Sequence, residues 1–513
     1  MRQRIWSTGQ QEGLLRADVA VIGFALIAVA ALSGSPTAGL ETAAGGTALV
    51  IGCLAIPRQH RLGVLLAVLI LAGVDALPGP DLDTTIVKAG LYEQDVVVIM
   101  LILLLLADNV RHRFGGILET RLGRFLLIAS LLNLAWWFAT LYRTSLNPLL
   151  SITHSANAGF AALTVALLVP LMAGTLQRAN VRNAMLVTVG CWSVFEAVVY
   201  VLASVGHGHG LDLLHPTNAI QQGSTLRVYA PAEDLFSAVL AISVAAALLS
   251  PSARVRRFAA VIATVNLLAV VVELTRAQYL GTTFGLIVAM AIWMRGPLAR
   301  VALRRLIATA VLGVAIISAA FVLAPQGKVA NTVSSTAQRI TSIGSATSSN
   351  QQTSTLAVRA SEASLLEQRL GGHALFGLGF ISPRDLYDPS LPFGSIFNSD
   401  VGVLNIVMSM GIVGAVLYYL SLLGVSVALV ARARKRLADN MVWLALGTLA
   451  ACLSVLGTSV TLVTFFSPTG IVTVATMLGL GAAVVLAPPA TGTELSPIVP
   501  DDAYARLLAL PVP

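Results

Sequence analysis

Charge is scarce in this chain of 513 residues. Only 11% of its residues are charged, whereas a soluble domain carries about 25%. That shortage excludes a water-soluble globular enzyme. Disorder is excluded too, because it needs low hydrophobicity, and this chain is 56% hydrophobic with a mean hydropathy of +0.84. Lysine is scarcer still: Lys88, Lys328 and Lys435 are the only three among 32 basic residues. Cysteine is limited to Cys53, Cys191 and Cys452, each inside an apolar run. They read as small hydrophobes, not as a disulfide set or a thiolate metal site. The arginines near the N-terminus precede no small-residue cleavage pattern, so the first apolar run reads as a retained helix.

What the chain has is apolar runs of membrane-spanning length. They fall at roughly 17–34, 38–56, 62–77, 93–109, 123–142, 154–174, 183–205, 230–249, 258–275, 277–294, 306–324, 400–430, 441–464 and 469–488. The expectation is an all-α polytopic membrane protein of about 14 transmembrane helices, within a range of 12–14, with the short third and fourth runs tilted, broken or merged as the alternatives. Residues 1–324 would hold spans 1–11 and residues 399–488 spans 12–14, with 489–513 a cytoplasmic tail. The net charge of +8 could suggest nucleic acid. Cytoplasmic loops collect Lys and Arg, however, and with the N-terminus inside every short inner loop receives at least two. Arg111, Arg113, Arg178, Arg182, Arg254, Arg256, Arg257, Arg432, Arg434 and Lys435 all fall there. Both termini would be cytoplasmic, in a plasma (inner) membrane. The expected partner is the lipid bilayer, not nucleic acid.

The outer connections are short except for 325–398. Its part 331–355 is rich in Ser, Thr, Gln and Gly, and 356–370 has helix-forming composition. Gly371 and Gly372 supply a stop, and 376–397 reads as irregular structure near the membrane. Several arginines defy the charge bias by lying outside: Arg143, Arg227, Arg276, Arg339, Arg359, Arg369 and Arg384. Any one of them can snorkel to lipid phosphate. Several converging would grip a diphosphate bidentately and neutralise it as it leaves. Arg276 sits in a tight hairpin, Glu273-Leu274-Thr275-Arg276-Ala277, with no long loop to solvate it.

An attacking sugar hydroxyl must lose a proton, which a carboxylate can accept. Asp400, at the outer start of a long apolar run, is one candidate. Glu233 and Asp234, at the start of the 230–249 run, are others. The plainer reading of each is a helix cap or first-turn acid. His373 is the only histidine in the large loop, and a structural role suits it better than catalysis. Asp81-Leu82-Asp83 is a D-x-D of a kind that holds metal, but the pattern is common by chance. His207, His209 and His215 could bind a metal, but a solvated loop is the plainer reading. Glu196, inside an apolar run, is a functional candidate by its cost alone.

From residue 339 the chain reads Arg339-Ile340, then Val358-Arg359-Ala360, His373-Ala374-Leu375-Phe376-Gly377-Leu378-Gly379-Phe380, Asp400-Val401-Gly402-Val403-Leu404-Asn405 and Met410-Gly411-Ile412-Val413-Gly414. This order resembles the O-antigen polymerase and O-antigen ligase superfamily. Thr275-Arg276 resembles that family's SR between two helices, and Arg227 with Pro231 its R…P entry to a span. The resemblance covers about 220–430. It implies a GT-C-like fold and a metal-independent, inverting glycosyltransferase without cofactor. The donor would be a polyprenyl-diphosphate-linked glycan on the extracytoplasmic side, and the acceptor a glycan or lipid. Carried over, Arg227, Arg276 and Arg359 would be the diphosphate and donor arginines, with Arg339 a weaker match. Apart from the resemblance, Arg384, Glu233 and His373 are further candidates for substrate binding and Asp400 for the base. Eleven residues before Gly411, where ligases carry histidine, stands Asp400. This departure points to the polymerase branch. A ligase is the alternative within the class. A lipid-linked oligosaccharide flippase is the alternative outside it, disfavoured by the expectation that the polar material lies in one outer loop and not in broken helices.

Overall fold

The computed structural model describes residues 56–76, 85–87, 91–147, 150, 152–205, 211, 214, 218–222, 225–229, 233–273, 275–295, parts of 363–381, 402–435, 441–459 and 468–487. The expected spans at 17–34, 38–56 and 306–324 lie outside these residues. So do the proposed tail, Asp81, Asp83, His207, His209, His215, Arg339, Arg359, Arg384 and Asp400.

The other expected runs are helices: α1 Arg58–Gly73, α2 Glu93–Arg111, α3 Arg121–Leu146, α4 Ile152–Thr175, α5 Ala179–Val205, α6 Glu233–Leu249, α7 Ala253–Glu273, α8 Arg276–Trp293, α9 Gly402–Lys435, α10 Val442–Ser459 and α11 Pro468–Leu486. Five of them, α3, α5, α7, α9 and α10, are long and apolar enough to cross a membrane. Shorter apolar stretches lie in α4, α8 and α11. The chain is therefore an α-helical membrane protein. One departure from all-α is two small antiparallel hairpins: β1 Thr85–Val87 with β2 Leu91–Tyr92, and β3 Asn218–Gln222 with β4 Thr225–Tyr229. The β3–β4 register runs from Asn218 opposite Tyr229 to Gln222 opposite Thr225.

α10 sits at the centre, 78% of its apolar window buried, whereas α3 is peripheral at 22%. Small residues let α8 approach α10 closely. A Cβ on Gly281 would meet the Ser454 carbonyl at 2.5 Å, and one on Gly285 the Ala450 carbonyl at 2.2 Å. Without a hydrophobic driving force between helices in lipid, such close backbone contact supplies the association energy. Amide side chains tie other pairs: Asn133 donates to Leu417 O at 2.9 Å and Asn109 to Leu171 O at 2.8 Å.

The basic residues mark one end of the bundle. There Asp108 accepts from Arg178 at 2.5 Å and from the Thr175 hydroxyl at 2.7 Å. The Asn180 amide donates to Gln59 O at 2.7 Å, and Arg432 donates to Ala487 O at 2.9 Å. These contacts hold the ends of α1, α2, α4, α5, α9 and α11 at one level.

α9 is not continuous. Gly411 (φ 73°, ψ 176°) breaks it. From Ile412 to Arg432 the helix rises about 30 Å at about 1.5 Å per residue, the thickness of the hydrocarbon core. The break therefore lies at the membrane edge opposite the basic end. It frees backbone groups that must be satisfied, and the end of the large loop satisfies them. Leu378 N donates to Met408 O at 2.8 Å and Gly379 N to Ser409 O at 3.1 Å. Ile412 N donates to Ala374 O at 2.9 Å and Val413 N to Leu375 O at 3.2 Å. Glycine is required where the backbones meet. A Cβ on Gly377 would lie 2.5 Å from Ser409 O, and one on Gly411 2.3 Å from Leu375 O.

Candidate functional site

The buried polar residues most suited to chemistry gather opposite the basic end, where α5, β4, α6, α7 and α8 meet. The short β3–β4 hairpin places Arg227 and Tyr229 two residues apart, on one face of β4. The Arg227 guanidinium carbon lies 4.2 Å from the Tyr229 ring centroid. Such a cation–π contact orients the fork without consuming its donors. Its Nη2 donates to Thr275 Oγ1 at 3.2 Å. Its Nε is buried and has no hydrogen-bond partner. A guanidinium carries five N–H donors, so this one retains capacity for an anion.

Thr275 stands at the N-cap position of α8 without a side-chain capping bond, and Arg276 is the first residue of that helix. Arg227 is thereby bonded to the residue immediately before Arg276. Two arginines that the sequence singled out, 49 positions apart, share one corner of the fold.

Carboxyl groups lie on the helices that meet at this corner. Glu233, half-buried in the first turn of α6, accepts from the Tyr200 hydroxyl at 3.4 Å. That hydroxyl also donates to Val228 O at 2.7 Å and ties α5 to β4. Asp234 accepts from the Gln278 amide at 3.5 Å. Glu273, the last residue of α7, is fully buried, and neither of its carboxyl oxygens has a hydrogen-bond partner. Glu233 and Asp234 lie close enough to act on it electrostatically. Glu196 is buried one helical turn from Tyr200, on the same face of α5.

The other candidates lie elsewhere. His373 is exposed at the end of a 3-10 turn, Gly371–His373. Its carbonyl accepts from Gly377 N at 2.7 Å. This segment packs on α3 and α9, and no described contact joins His373 to Arg227. Arg143 is spent on the same segment. It donates to Phe376 O and, at 2.8 Å, to Thr140 Oγ1, and it lies 4.9 Å from the Trp136 ring centroid. Among the described residues no three His, Cys, Asp or Glu side chains are grouped to hold a metal ion.

The chain matches no protein-family model and no curated protein. Sequence reasoning passed over Tyr200, Gln278 and Glu273 as functional residues. Glu273 carried a usable signal, since a carboxylate closing an apolar run three residues before an arginine is an uncommon way to end a span.

Proposed function

We propose that this protein is an extracytoplasmic glycosyltransferase of the plasma membrane. It would polymerise or transfer glycan units carried on polyprenyl diphosphate. Polymerisation is the favoured activity, and transfer of finished glycan to a lipid or protein acceptor is the variant of it. In this reading the fold has about 14 spans in a GT-C-like arrangement, and the basic end faces the cytoplasm. The observation that carries the reading is the Arg227 guanidinium. It is held at the opposite membrane edge by Tyr229 and Thr275, beside Arg276, with a buried Nε–H unpaired.

In the reaction, an acceptor hydroxyl oxygen attacks the anomeric carbon of the donor. The bond between that carbon and the phosphate oxygen breaks. The diphosphate leaves with its charge neutralised by Arg227 and Arg276, joined by Arg359, Arg339 and Arg384 from the large loop. No metal is needed for that neutralisation. The hydroxyl proton passes to a carboxylate, with Asp400 and Glu233 as the two candidates. Asp400 precedes α9, whose outer end is paired with the loop.

A flippase for lipid-linked oligosaccharide is the second reading, because α9 is broken at Gly411 as transporter helices are. Against it, the freed groups at the break are taken up by the loop's own backbone. The test is purified Arg227→Ala protein given a polyprenyl-diphosphate-linked repeat unit. Glycan extension should fall by at least about 100-fold, since loss of one transition-state donor costs about that. Unchanged extension would remove Arg227 from the chemistry.

A further inference from the structure

A second feature of the bundle lies at its basic end. A cleft of about 150 Å³, open on one side, runs between α5, α6 and α7 and is closed behind by α10 and α11. Its wall on α7 is the stripe Val255, Phe258, Ala259 and Ile262. On α6 it extends from Leu235 to Ala246. That is a rise of about 16 Å, most of the length of α6, so the cleft reaches from its mouth near the basic end deep into the bundle. No charged side chain lines it. Val255 and Phe258 remain 38% and 43% exposed at its mouth.

Arg254 and Arg257 stand one residue before Val255 and Phe258, on the adjoining face of α7. Both are exposed, and neither has a hydrogen bond or ion pair among the described residues. Arg256 differs, since it donates to Ser250 O at 2.9 Å and Pro251 O at 2.8 Å and closes the end of α6. From Leu235 to Val272 the chain contains no Asp or Glu. The flanking acids, Asp234 and Glu273, lie at the far end of α6 and α7. α6, α7 and their connection therefore supply no counter-ion to these two arginines at the basic end.

We propose that the cleft is a specific site for one anionic phospholipid of the leaflet at the basic end. An acyl chain would lie along the α7 stripe, and the headgroup phosphate would bridge Arg254 and Arg257. Basic residues at the mouth of an apolar crevice between helices are the chemistry that selects such a headgroup. A lone snorkelling arginine would not need the cleft, and the cleft alone would not select charge.

Native mass spectrometry of the purified full chain, delipidated and offered phosphatidylglycerol or phosphatidylcholine, tests this. The wild type should retain about one phosphatidylglycerol per chain and little phosphatidylcholine. Arg254→Gln with Arg257→Gln should lower phosphatidylglycerol retention by roughly thirtyfold. Ser243→Leu fills the cleft from α6, and the Ser243 hydroxyl bonds only its own helix, at Val239 O and Leu240 O. It should abolish retention with the arginines intact. Each variant is first checked for insertion and an unchanged melting temperature. Equal retention of both lipids by the wild type would overturn the proposal. So would retention that survives the double arginine substitution or the filled cleft, or a broad distribution of many bound lipids.

Discussion

Replacing Gly411 by alanine tests how the large loop is attached to the membrane domain. The backbone there (φ 73°, ψ 176°) is a region open almost only to glycine, and holding alanine in it costs about 1–3 kcal/mol. The new methyl would also lie 2.3 Å from Leu375 O and 2.5 Å from the Phe376 carbonyl carbon, so the loop segment must retreat. Retreat breaks the bonds from Ile412 N to Ala374 O and from Val413 N to Leu375 O, each worth about 0.5–1.5 kcal/mol. The combined penalty is about 2–6 kcal/mol, and it falls on docking of 374–379, not on insertion of the helices. The assay is hydrogen exchange in lipid nanodiscs, followed on peptides covering 371–381 and 408–413. Exchange there should quicken by at least about thirtyfold, since 2 kcal/mol corresponds to that factor, while α10 stays protected. Exchange unchanged to within twofold would refute the argument that this glycine joins loop to helix.

Three further outcomes follow from the same contacts. Arg227→Lys keeps the charge and loses the fork, so if the grip on diphosphate is bidentate it should recover little of the activity lost in Arg227→Ala; full recovery by lysine would show that charge alone suffices. Arg276→Ala should abolish glycan transfer while the protein still inserts, as judged by expression and melting temperature, and retained transfer would exclude it from the mechanism. At the basic end, Arg178→Ala strips the close partner from Asp108, which is 7% exposed at its side chain. The loss should be about 1–3 kcal/mol, below that of a fully buried pair because Arg178 is 31% exposed, and Asp108→Asn in the same chain should restore part of it in a thermal melt.

Much of this architecture was legible in the residues. Apolar runs longer than a soluble helix needs have no other explanation, and the runs from 62 to 294 and beyond 400 coincide with helices. The glycines at 377, 379 and 411 were legible as a pattern without a reason. Their reason is three-dimensional, because two segments far apart in the chain cross with their backbones in contact. The break in α9 was hidden for a related cause: Met410-Gly411-Ile412 is as apolar as the helix around it, and hydropathy does not report φ. The corner holding Arg227 and Arg276 was half legible. Position along the chain marked both arginines as outward, but the Tyr200–Glu233 contact and the unpaired Glu273 depend on which helices are neighbours. Acids at the ends of apolar runs look like boundaries until a fold surrounds them.

The central claim is that a lipid-linked glycan is extended at the membrane face bearing Arg227 and Arg276. The most direct test is mass spectrometry of polyprenyl-linked glycans in cells depleted of this protein, with sidedness assigned by an impermeant glycosidase. Single repeat units accumulating on the outer face are the predicted result. Finished long chains accumulating there would move the assignment to a ligase. Single units trapped on the inner face would contradict the account and make the protein a flippase.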